Sequence, residues 1–165
     1  MVTRTATAWD VASATPDPEL PMLTIGDLGI LRAVDESDGR LVVTITPTYS
    51  GCPAMREISA DLAHRLRAAG HRDVEIRTRL APPWTSDWIN AAGRQKLAAA
   101  GIAPPSPARG ASGPVPLTLG PRPSERCPRC GSAQTVQTAA FSSTACKSLH
   151  RCTECGEPFE AVKPH

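Results

Sequence analysis

Aromatic side chains make up only 4% of the 165 residues: one Tyr, two Phe and three Trp. Charge is also nearly balanced, with 18 Lys and Arg against 16 Asp and Glu. Residues 1–102 carry 11 basic and 12 acidic groups and the remainder 7 and 4, so no basic stripe interleaved with aromatics is available to track phosphates and stack bases. That excludes nucleic-acid binding as the primary role. No apolar run approaches the ~20 residues of a membrane span. The opening segment MVTRTATAWDVASATP lacks the apolar stretch of a signal peptide, which predicts a cytosolic protein. No internal repeat is present. His64 falls on a predicted helix and His71 in the turn after it, with nothing to orient either toward a cysteine, so a protease-type nucleophile is excluded.

What is present divides into three parts. Residues 104–124 are dense in Pro, Gly and Ser without any sustained period of 2 or 3.6, the composition of a semi-rigid linker. Upstream, over residues 8–103, short β-rich runs at Leu28–Val34 and Leu41–Thr46 flank turn chemistry and predict a hairpin. Met55, Ile58, Leu62, Leu66 and Ala69 recur at helical spacing, with Gly70 as the stop. Val74, Ile76, Thr78 and Leu80 alternate with Glu75, Arg77 and Arg79, which predicts a strand with one buried face. Asp87–Ala100 is expected to form a second helix capped by Thr85 or Ser86, and Ala8–Ala14 a short first one. The fold class is α+β, a small mixed β-sheet packed by helices, followed by the linker and a C-terminal zinc ribbon over residues 125–165.

The ribbon follows from Cys127-Pro-Arg-Cys130-Gly131 and Cys152-Thr-Glu-Cys155-Gly156, two knuckles of identical spacing. Two intervening residues let both thiolates of a knuckle reach one ion at ~2.3 Å, and the glycine tolerates the tight turn around sulfur. Six cysteines would permit three disulfides, but a reducing compartment makes this spacing a metal site. Structural zinc is the expected ion; an Fe-S cluster on the same four thiolates is the alternative. Cys146 and His150 lie just before the second knuckle, either as extra ligands or as a small buried residue and a surface side chain. So few large apolar groups in this segment imply that metal binding supplies much of its folding free energy.

In the first domain, Cys52 sits in Ser50-Gly51-Cys52-Pro53 at a predicted helix N-terminus, where unpaired N–H groups and the helix dipole are expected to lower its pKa. The alternative is a half-buried cysteine chosen for size. Asp17-Pro18-Glu19-Leu20-Pro21 places two carboxylates on a segment expected to be stiff and extended, with Asp27 close behind; these are iron ligands, a basic-partner site or turn chemistry. Trp84 and Trp88 read as core or interface anchors.

The series DPELPMLTIGDLGIL, TPTYSGCPAMREI, LAPPWTSDWI and GIAPP resembles the family of small iron-sulfur assembly proteins that includes SufT. Together with the tail SSTACKSLHRCTECGEPFE, the chain resembles the PaaD family, which has this architecture in the ring-1,2-phenylacetyl-CoA epoxidase system of aerobic phenylacetate degradation. The resemblance implies that Asp17, Pro18 and Glu19 match an acidic motif. It also implies that Cys52 matches a reactive cysteine that handles transient iron or an Fe-S cluster. It further implies that the oxygenase chemistry and its electron supply belong to partner oxygenase and reductase subunits, with this chain a non-catalytic accessory. Consistent with that, the sequence holds no Glu-x-x-His pair of a di-iron bundle and no dinucleotide fingerprint. A structural adaptor and an Fe-S electron carrier are the competing readings.

Overall fold

The computed structural model describes residues 7–106 and 125–164. It divides into two compact units, Met1–Gly93 and Arg94–His165.

The first unit opens with α1 (Ala8–Ser13), which a reciprocal Thr7–Asp10 capping box initiates. The predicted hairpin is β1 (Leu31–Ser37) against β2 (Arg40–Ile45). Its strands run closer to the turn than the apolar pattern suggests. The loop is only Asp38-Gly39, with φ of 51° and 78°, the left-handed pair that matches strand twist. α2 (Ala54–Ala68) then carries the chain across to β3 (Asp73–Thr78), parallel to β2, giving the sheet order β1-β2-β3. The alternation on β2 places Leu41, Val43 and Ile45 on one face, and the 3.6 period of α2 gathers Ile58, Leu62 and Leu66 on one side of the helix, all six at most 1% exposed. At ~1.5–3 kcal/mol per fully buried aliphatic side chain, these six residues contribute a large share of the unit's burial energy.

The structure corrects two expectations. On β3, Val74 and Ile76 are only half-buried while Thr78 and Leu80 are exposed, because β3 is an edge strand that α2 covers in part. The expected helix over Asp87–Ala100 is two elements. A single 3-10 turn, Ser86–Trp88, is capped by Thr85, and α3 is Ala91–Ala99. Ile89 between them is extended, and the Asn90 side chain accepts the Gly93 N–H at 2.7 Å, restarting the helix. Trp84 is a core residue whose indole N–H donates to the Leu28 carbonyl at 2.8 Å. Gly29 has φ +68° and lies so close to Trp88 that a Cβ would come within 2.6 Å of it.

In the second unit, β5 (Thr135–Ala139), β6 (Lys147–Cys152) and β7 (Pro158–Val162) form an antiparallel ribbon. A short strand, β4 (Ile102–Ala103), adds to β7 in parallel, so the sheet order is β4-β7-β6-β5. β4 thus lies in the second unit, Arg94–His165. Two residues are too few to carry a period, and their hydrogen-bonding partners lie far along the chain. Most of the expected linker, residues 107–124, lies outside the described residues. Among the described residues no helix is long and apolar enough to cross a membrane.

Candidate metal centres

The two knuckles repeat one backbone pattern. The Cys127 N–H bonds the Ser132 carbonyl and the Cys152 N–H the Glu157 carbonyl, each at 2.9 Å. The N–H groups of Gly131 and Gly156 return to the carbonyls of Cys127 and Cys152, with both glycines in left-handed conformation. β5 follows the first knuckle, and β6 and β7 flank the second, so the antiparallel pairing of Thr135 with Cys152 brings the knuckles together. The four Sγ atoms lie within 4.8 Å of one another, with Cys127–Cys155 at 3.7 Å and Cys130–Cys152 at 3.6 Å. Four sulfurs ~2.3 Å from one tetrahedral ion stand about 3.8 Å apart, so the arrangement fits a single ion. A cluster of several irons would hold its thiolates further apart.

Protonation chemistry points the same way. The backbone N–H groups of Cys155 and Glu154 aimed at its sulfur bring Cys152 down to about 7. The Ser132 N–H favours the Cys130 thiolate, but desolvation and the three neighbouring sulfurs push that thiol up to about 12. A cation between the sulfurs would offset the effects that hold Cys130 up. Cys127 and Cys152 are buried with Phe159, Ala161 and Ala103, whereas Cys130 and Cys155 are exposed. Arg129 extends from the first knuckle to Glu157 beyond the second, Nη1 to Oε2 at 2.5 Å.

Neither Cys146 nor His150 joins this group. The Cys146 sulfur lies 3.1 Å from the Thr144 hydroxyl. His150 is not a surface side chain. It is buried, stacked on Phe159 and bonded through Nε2 to Ser148 Oγ at 2.9 Å, with Nδ1 unpartnered.

In the first unit, Asp17-Pro18-Glu19 is turned rather than extended. Asp17 Oδ1 accepts the N–H groups of Glu19 and Leu20 at 2.9 and 2.8 Å, and the Asp17 N–H bonds Leu23, folding the segment back on itself. Burial raises the pKa of Asp17 despite those two bonds, and the charge of Glu57 adds to it. Asp27 accepts the Thr24 N–H, and its own N–H bonds the Thr24 hydroxyl, which is turn chemistry.

Cys52 is half-buried where the loop after β2 enters α2, with Gly51 at φ +89° turning the chain. Its pKa moves opposite to the expected direction. Burial pushes the thiol up and Glu19 adds to the shift. The Ala54 N–H and the side chains of Thr48 and Tyr49 bond the sulfur but do not compensate. The Ala54 N–H at the start of α2 does favour the thiolate, but desolvation opposes it more strongly. Thr48 and Tyr49 were not legible as sulfur partners, since only the turn at Gly51 brings them back. Asp17 feels the charge of Glu57 and Cys52 that of Glu19, but the ligand atoms of Asp17, Glu19 and Cys52 are not gathered to one point as the four ribbon cysteines are.

Known proteins carry the same two parts. Residues 9–77 match the family described as iron-sulfur cluster assembly protein, and residues 111–163 the PaaD zinc beta ribbon domain. An Escherichia coli (strain K12) protein, named as a subunit of a "Putative 1,2-phenylacetyl-CoA epoxidase", is 41% identical over 155 residues, covering 94% of this chain and 90% of that protein. The chain belongs to the PaaD family. A "Fe-S protein maturation auxiliary factor" of Porphyromonas gingivalis (strain ATCC BAA-308 / W83) is 34% identical to this PaaD-family chain over 76 residues, 45% of the chain and 71% of that protein. The crystal structure of a domain of unknown function, DUF59, from Bacillus anthracis superposes with a TM-score of 0.51 at 26% identity, over 55% of this chain and 87% of that one. The PaaD architecture therefore joins an iron-sulfur assembly fold to a metal-binding four-cysteine ribbon.

Proposed function

We propose that this chain is a cytoplasmic, non-catalytic accessory subunit of a ring-1,2-phenylacetyl-CoA epoxidase system. It would assist insertion of an iron or Fe-S centre into the oxygenase or reductase subunits. The observation that carries the reading is Cys52 at the start of α2 with the Glu19 carboxylate acting on its thiol, within a domain of the iron-sulfur assembly family. A thiol held up by burial and a nearby anion stays protonated and unreactive until a cation arrives. The cation's charge then offsets Glu19 and displaces the proton. Such a site holds its cargo weakly, which suits delivery. The ribbon ion is zinc in this reading, with a folding and docking role, because four thiolates leave no open position for chemistry.

The test is the iron content of oxygenase and reductase purified from cells growing on phenylacetate. A Cys52→Ser chain should leave them under-metallated, while the complex still assembles. Full metallation with normal growth would remove Cys52 from the proposal. The half-burial of Cys52 favours one second reading, an adaptor in which that thiol only packs. It predicts normal metallation by Cys52→Ser and loss of assembly on deleting the ribbon.

A further inference from the structure

The ribbon sheet has two ends. The knuckles occupy one, at the close of β6 and the start of β7. At the other, Lys147 pairs with Val162, and the β5–β6 connection meets the last residues of β7. Here Phe141 is 67% exposed, the highest value among the described large hydrophobic residues. A single exposed apolar side chain is ordinary; this one is held in place. Lys163 Nζ lies 3.8 Å from the centre of its ring and also donates to the Ala145 carbonyl at 2.8 Å. The Lys163 N–H bonds the Cys146 carbonyl at 2.9 Å, and the Ser142 N–H the Lys147 carbonyl at 3.1 Å.

Beneath this, Glu160 fastens the loop. It accepts the hydroxyls of Ser142 and Ser143 and pairs with the buried Lys147 ammonium at 2.7 Å. Partial burial works against the carboxylate, yet Lys147 and the two serine hydroxyls bring its pKa down to about 2. Lys147 and Glu160 neutralise each other, which leaves Lys163 as an unneutralised cation among the described residues here. Among the described residues it has no carboxylate partner.

We propose that Phe141 and Lys163 form a preformed docking knob for a protein partner that offers an apolar pocket with a carboxylate on its rim. The identity of that partner rests on the accessory-subunit reading above. Two features carry the assignment. An aromatic ring whose loop is already fixed loses little freedom on binding, the condition under which one side chain dominates an interface. The ammonium across one ring face selects for negative charge beside the pocket.

The experiment is titration of the zinc-loaded full-length chain against purified oxygenase and reductase subunits, as unaltered protein, Phe141→Ala, Lys163→Glu and Lys163→Arg. Unchanged zinc content and circular dichroism would establish that each variant folds. Phe141→Ala and Lys163→Glu are expected to weaken binding about tenfold or more, Lys163→Arg no more than about threefold, and added salt to narrow the Lys163→Glu difference. If the unaltered chain binds and both disruptive variants bind within twofold of it, the knob is overturned while the accessory reading stands. If the unaltered chain binds neither subunit, both fall. A Phe141-dependent self-association seen by sedimentation would overturn the assignment in favour of a second copy.

Discussion

Arg129 and Glu157 join the two cysteine knuckles through one ion pair, from the interior of the first knuckle to the residue that closes the second. The guanidinium lies in the field of Cys127 and Cys155, and four thiolates around a divalent ion carry net negative charge. Removing Arg129 takes away a compensating cation and leaves Glu157 facing that charge. Arg129→Gln is expected to speed zinc loss to a chelator by roughly threefold at low salt, a small factor because Arg129 is 69% exposed. Glu157→Gln should not accelerate it. Equal acceleration by both would show that the pair acts only as a mechanical tie.

Cys52 offers a reactivity test. Since Glu19 raises its pKa, Glu19→Gln should increase the thiolate fraction. Iodoacetamide labelling of Cys52 at pH 8, followed by mass spectrometry on zinc-loaded protein, should accelerate by about two- to threefold. Unchanged labelling would mean that the carboxylate does not act on the sulfur.

Asp17 gives a pH dependence of known sign. Burial raises its folded pKa above the ordinary 3.8, so the folded chain binds this proton more tightly than the unfolded one. Its contribution to stability is most favourable below pH 3.8 and declines as pH rises through the folded value. Asp17→Asn keeps an Oδ1 acceptor for Glu19 and Leu20 but removes the charge. It should raise the urea midpoint at pH 7 and flatten the profile between pH 4 and 7. Trp9, Trp84 and Trp88 all lie in the first unit, so tryptophan fluorescence of the full chain reports it. A lowered midpoint would show that the charge itself stabilises the turn.

Truncation tests the extent of the ribbon. A fragment of residues 94–165 retains β4 and the Ser106–Glu125 hydrogen bond, and should fold on adding zinc. A fragment of residues 125–165 loses both and uncovers the β7 edge and the Ala103 contact with Phe159 and Ala161. It should unfold at lower denaturant, by about 1–3 kcal/mol. Equal stability of the two zinc-loaded fragments would mean that β4 is only a passenger on the sheet.

The contrast between Cys127 and Cys52 shows where sequence suffices. Knuckle spacing and the glycine after each second cysteine are local constraints, so the four-cysteine site was legible without coordinates. So were the short helix α1, the existence of the β1–β2 hairpin and the buried stripe of α2, whose patterns are set by neighbouring residues. The direction of the Cys52 pKa was not. A local helix-terminus argument lowers it, but burial and Glu19 act across the fold and outweigh the dipole. His150 likewise reads as an extra ligand or a surface side chain, until the pairing of β6 with β7 stacks it on Phe159.

By itself, then, the sequence determined the α+β class and the four cysteines that cluster in the ribbon, because near-neighbour geometry governs each. Tertiary structure alone decided that β4 belongs to the ribbon's sheet, that Asp17 forms a turn rather than an extended arm, and that burial raises the pKa of Cys52. Those depend on desolvation and on hydrogen bonds between residues distant in the chain, which no local pattern encodes.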